Sequence, residues 1–192
     1  FLGRLQGREK VKVVCIDLSS SYRAMVRRWF PNARIVADRF HVVRVLQHHF
    51  LELARQIVPE LKNHRGLLGV LRRHPSQLEE RHQIRLRKLL ADYPALQPLY
   101  EKMVELWDLL RLKHQTAKAC RQHISRLLGL IDELRQSALE PLVRLASTFH
   151  NWREALVTMW RFTKNNGITE GFHRKMKLIQ RRAYGFKNFN NY

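Results

Sequence analysis

A chain of 192 residues, 45% of them hydrophobic, is long enough to bury one substantial core and too apolar to be disordered. Its formal charge of +20, from 36 Lys and Arg against 16 Asp and Glu, repels itself unless a polyanion neutralises it, so nucleic acid is the first candidate partner. Membrane insertion and secretion are not indicated: no run approaches the ~18–20 apolar residues that span a bilayer, and no stretch has the layout of a signal peptide.

The chain opens at Phe1 without a Met and heads into an apolar run, as expected of a segment of a longer protein. Residues 11–18, "VKVVCIDL", are nearly continuously apolar and β-branched, which predicts a strand buried on both faces and ending at Asp17. "SSSYRAMVRRWF" then supplies Ser caps, followed by Tyr22, Met25, Val26 and Trp29 at helical spacing, and Pro31-Asn32 stops that helix. Residues 33–38, "ARIVAD", predict a second short strand, and "RFHVVRVLQHHFLELARQIV" a helix after it. Strand, helix, strand and helix in sixty residues make a right-handed βαβ crossover with two parallel neighbours. Both strands end in a carboxylate, Asp17 and Asp38, and open α/β sheets place their chemistry at such ends.

From about 60 to 162 strand signals vanish. Helices are predicted near 65–73, 76–91, 95–113, 116–137 and 139–162, broken at Pro75, at Pro94 and around Ala138. A turn at 163–167 leads to a last helix from Ile168 to about Arg182. The predicted domains are therefore 1–60, a βαβ unit; 61–162, a helical insertion or subdomain; and 163–192, a C-terminal helix. The fold class is α/β but dominated by helix.

Three acids carry the candidate chemistry. Between residues 155 and 192, Glu170 is the lone acid against eight Lys and Arg. A Glu in a first helical turn complements the helix dipole, a strand-end Asp caps the helix that follows, and either role explains one such residue alone. Together, two strand-end carboxylates and one helical carboxylate can converge on Mg²⁺ or Mn²⁺, hard ions that take oxygen ligands. Two such ions clamp the attacking and leaving oxygens of a phosphoryl displacement. Arg174, Lys175, Lys177, Arg181, Arg182 and Lys187 would then hold the phosphates of DNA. Tyr184, Phe186 and Phe189 interleave aromatics with those cations. Trp107, Trp152 and Trp160 fall on apolar helix faces and are expected in the core. His48 and His49, in a chain with ten His, carry little weight as a metal pair. The run "RHQIRLRKLL" suits a solvated face or, given the global charge, phosphate contact. Cys15 and Cys120, far apart and without paired spacing, are expected to be buried thiols in a reducing compartment rather than a disulfide or metal ligands.

"VVCIDLSSSYRAMVRRWFPNARIVADRFHVV" and "NNGITEGFHRKMKLIQRRAYGFKNFNNY" resemble two blocks of the bacterial insertion-sequence transposases of the ISL-three family. The resemblance implies a partial RNase H-like core with an Asp-Asp-Glu triad and two Mg²⁺ or Mn²⁺ ions. It implies cleavage of transposon ends and strand transfer into target DNA, by a homo-oligomer on double-stranded DNA, in the cytoplasm and associated with the bacterial nucleoid. Glu170 matches the triad's glutamate. Asp17 is taken as its second aspartate, with Asp38 the alternative; Asp38 and His41 would otherwise be an auxiliary Asp-x-x-His element. The family's first aspartate, its zinc-binding region and its helix-turn-helix lie upstream of the residues in hand, so the chain alone is expected to be inactive. The other reading open at this point is a non-catalytic, mainly helical module that grips nucleic acid through its charge.

Overall fold

The structure, a computed structural model, describes residues 2–162 and 167–182, with the side chains of 167–170 and 173 outside that description. Two strands, β1 (Val13–Ile16) and β2 (Arg34–Ala37), pair in parallel with Val13 opposite Arg34 and Ile16 opposite Ala37. Helix α1 (Ser20–Trp29) joins them. Its start is fixed by Ser19, whose hydroxyl oxygen accepts the Tyr22 N–H, and it ends at Phe30, before Pro31. Helix α2 (Arg39–Ile57) follows β2 directly.

Five helices follow: α3 (Arg65–Leu71), α4 (Glu80–Asp92), α5 (Leu96–Arg111), α6 (Ala117–Gln136) and α7 (Glu140–Arg161). The last described element is α8 (Gly167–Arg182). The buried stripe of α2, Val42, Leu46, Phe50 and Leu53–Ala54, repeats every three or four residues and packs against α5 and α7. Helices α6 and α7 form an antiparallel pair across a three-residue link in which Ala138 takes φ 57°, the left-handed geometry that ends α6 at the predicted break. Helix α7 also packs on β2, whose Val36 and Ala37 are fully buried. One continuous cluster of buried side chains runs from Ile16 to Trp160, so the βαβ unit and the long helices share a core. Among the described residues, no helix is long and apolar enough to cross a membrane.

Three details differ from the sequence-based expectation. The first strand is shorter than 11–18, and Val13, Val14 and Cys15 are only half-buried, because α7 covers β2 while β1 packs on α1 and β2. The helix expected from residue 76 begins at Glu80. Pro75–Gln77 forms a separate 3-10 turn capped by the His74 ring, and Leu78 is extended and buried. Trp107, Trp152 and Trp160 are core residues as expected, the last with no exposed surface.

Candidate metal centre at the strand ends

Because Ile16 and Ala37 are in register, the residues that follow them leave the sheet side by side. These are Asp17 and Asp38. The Asp38 N–H donates to the Ile16 carbonyl at 2.8 Å, which extends the ladder by one bond and fixes the Asp38 backbone. Asp38 is the N-cap of α2: its Oδ1 accepts the His41 N–H at 3.1 Å, and the residue is 2% exposed. Asp17 is more open, with 38% of its side-chain surface exposed.

His41, on the first turn of α2, points back between the two acids. Its Nδ1 lies 2.9 Å from Asp17 Oδ1 and 3.1 Å from Asp38 Oδ1. Both neighbours are acceptors, so Nδ1 carries the proton and draws the two carboxylates together. One ligand atom from each of Asp17, Asp38 and His41 lies within 4.8 Å of the others. Two ligands of one Mg²⁺ stand at most about 4.2 Å apart, since each bond is about 2.1 Å long. Small side-chain rotations therefore suffice for the two carboxylates to share an ion, and oxygen ligands suit Mg²⁺ or Mn²⁺. With Nδ1 protonated, His41 positions the acids and is not itself a ligand through that atom.

Two further residues hold this corner in place. The Cys15 thiol sits 3.9 Å from Asp38 Oδ2, and burial, with Asp38 and Asp17 nearby, pushes its pKa up to about 12. It stays a neutral donor to the second oxygen of Asp38. Arg39, next in sequence, turns away from the acids. Its guanidinium donates to the carbonyls of Leu110 at 3.1 Å, Leu112 at 2.7 Å and Met159 at 2.9 Å, where α5 ends and α7 nears its end. Burial lowers its pKa and Asp38 opposes that shift. The cation meets the negative ends of two helices and satisfies carbonyls those helices leave unpaired. Sequence reasoning read Cys15 only as a free thiol and missed its contact with Asp38, and it passed over Arg39. Their signals were slight: a Cys two positions before a strand-end Asp, and an Arg beside a buried Asp.

Of the predicted site residues, the structure thus brings together Asp17, Asp38 and His41. Glu170 lies in the first turn of α8, and its side chain is outside the described residues. Arg174, Lys175, Lys177, Arg181 and Arg182 are on α8 and exposed. Lys187, Tyr184, Phe186 and Phe189 lie outside the described residues. His48 and His49 contact each other edge-on, their ring centres 5.3 Å apart; among the described residues the candidate ligand group is the one at the strand ends. Arg81, Arg85, Arg87 and Lys88 are exposed on α4, the solvated face expected of that run.

The described residues thus present paired acids at the ends of two parallel strands and, further along the chain, a basic helix with exposed cations. Comparison with known proteins identifies the family. A family model described as Transposase, that of the DDE transposases of the ISL-three group, matches residues 1–192, and the chain belongs to that family. It is 29% identical over 192 residues to the "Transposase for insertion sequence element IS1001" of Bordetella parapertussis, a match covering 94% of this chain and 45% of the relative. The chain therefore spans less than half the length of that curated relative. No solved structure matches it.

Proposed function

We propose that this chain supplies two carboxylates of a DDE transposase active site, Asp17 and Glu170, and that the assembled enzyme cuts transposon ends and joins them to target DNA. The observation that carries the reading is the convergence of Asp17, Asp38 and His41 at the ends of two parallel strands, in a chain of the transposase family. Asp17 is the ligand and Asp38 the positioning residue. Asp17 is the more exposed of the two, its Oδ1 facing His41 Nδ1, whereas Asp38 is buried, with Oδ1 engaged by two hydrogen-bond donors of His41 and Oδ2 facing the Cys15 thiol.

A divalent cation bound there supplies Lewis-acid polarisation of the scissile phosphate and lowers the pKa of an attacking water. The chain's own residues do the rest. Asp38, anchored as a cap, fixes the His41 ring, and His41 orients Asp17. Glu170 completes the ligand set from α8, whose Arg174, Lys175, Lys177, Arg181 and Arg182, with Lys187, grip phosphates on double-stranded DNA. In this reading the strands belong to an RNase H-like core interrupted by the helices of 61–162. The active form is a homo-oligomer holding paired ends, and two Mg²⁺ or Mn²⁺ ions serve each site.

The test compares Asp17→Asn, Glu170→Gln and wild type in the full-length transposase. Each substitution is expected to reduce cleavage and strand transfer at least about 10³-fold, as loss of a transition-state charge contact does, while DNA binding persists. If both variants cut normally, the exposed cations of α8 belong to a non-catalytic binding module.

A further inference from the structure

A second feature begins where the strand-end site stops. Phe40 lies between Arg39 and His41 and is 64% exposed, with its ring edge-on to His41 at 5.5 Å. From Phe40 a groove of about 680 Å³ runs along α2, walled by Arg72 at the end of α3 and floored by Trp107 of α5. Arg44, His48 and Arg55 line the α2 side of the groove, spaced four and then seven apart so that they project to one side. None of the described residues that line the groove is acidic. From Phe40 to Arg55 the helix covers about 22 Å, at roughly 1.5 Å per residue.

An exposed phenyl ring has no use for water, and three Arg side chains along one groove repel each other unless anions lie among them. Aromatic faces alternating with cations suit a strand whose bases are unpaired, because in a duplex each base face is already covered by its neighbours. The groove begins at Phe40, two residues from Asp38 and in ring contact with His41, so it adjoins the acids. We propose that this groove binds single-stranded DNA adjoining the Asp17–Asp38 site, with Phe40 as the stacking platform and Arg44, Arg55 and Arg72 as phosphate contacts. The assignment rests on the reading of the chain as a DNA-processing protein and adds to it a strand-specific subsite distinct from the α8 cations.

The test is fluorescence anisotropy of the chain with a labelled twelve-nucleotide oligothymidine and with a labelled duplex of the same length, over a range of salt. Phe40→Ala removes an exposed ring and leaves the core intact, which the melting temperature verifies. It is expected to weaken single-strand binding about 5- to 100-fold, the range of one lost base stack, and to leave duplex binding within about twofold. Phe40→Trp should restore the affinity. Arg44→Ala with Arg72→Ala should lower the salt slope for the single strand by about 1.4, or 0.7 per phosphate contact. Equal losses for single strand and duplex would reduce the groove to a general polyanion surface and overturn the proposal. So would single-strand binding that Phe40→Ala leaves unchanged; the transposase reading would survive that result, since cleavage by Asp17→Asn tests it separately. A wild-type chain that binds neither DNA would overturn the groove assignment and leave the transposase reading to the cleavage test.

Discussion

The strand ends and helix α8 answer opposite physical demands. At the strand ends, Asp38 and Ala37 are buried, and each polar group there meets a partner fixed by the β-ladder, the helix cap or the Cys15 thiol. Along α8 every described side chain is exposed, including the apolar Phe172, Met176 and Ile179, which recur every three or four residues. The contrast teaches how the labour is divided. Burial and the helix cap fix Asp38, and His41 ties Asp17 to it, whereas exposed cations need only reach a flexible polyanion.

Substitutions at Asp38 and Asp17 sharpen that contrast most. Asp38→Asn keeps an oxygen that can cap α2 but removes the charge, so stability should hold while cleavage by the full-length enzyme falls. Asp38→Ala removes the cap as well and should cost about 1–2 kcal/mol in urea unfolding. Asp17→Asn should leave the melting temperature within a degree or two, because its carboxylate caps no helix in the described structure. Equal destabilisation by the Asp38 pair would deny the cap its role.

Arg39→Ala tests the same corner from its other side and should lower stability by about 3 kcal/mol, since three carbonyls lose a charged donor at once. Arg39→Lys should recover only part of this, because one ammonium cannot reproduce the guanidinium fork. On α8 the reverse pattern holds. Arg174→Ala with Lys177→Ala should leave the unfolding midpoint unchanged and reduce the salt slope of duplex binding by about 1.8, or 0.9 per phosphate. A large shift in midpoint would show that α8 is part of the folded core.

The smallest effect concerns Cys15. With its pKa pushed up to about 12, the folded thiol should resist iodoacetamide at pH 8, and mass spectrometry should find Cys15 modified only after unfolding. The sign of the linked pH effect follows. Above about pH 9 the unfolded chain releases a proton that the folded chain retains, so stability contributed at this site declines as pH rises toward 12.

Much of this was legible locally. The β-branched run before Asp17, the Ser caps and the Pro31 stop carry the βαβ unit, and the two strand-end acids were singled out before their register was known. Local pattern also located the long helices to within a few residues. What it missed depends on distance along the chain. Arg39 reaches carbonyls 71, 73 and 120 residues away, and no spacing rule records such a contact. The groove beside Phe40 is likewise assembled from α2, α3 and α5. The late start of α4 was missed for a different reason: the His74 ring caps a turn at Pro75 that competes with the helix.

The Arg39 clamp bears on the reach of Glu170. By holding the Met159 carbonyl, the guanidinium ties the tail of α7 to the first residue of α2. From Arg161 to Gly167 the backbone can extend no more than about 21 Å, at ~3.5 Å per residue, and the helical rise from there to Glu170 adds about 5 Å. The glutamate is thus on a short leash whose fixed end is tied to the very residue that follows the second acid. Its local concentration at the strand ends is set by that mooring as much as by its own helix.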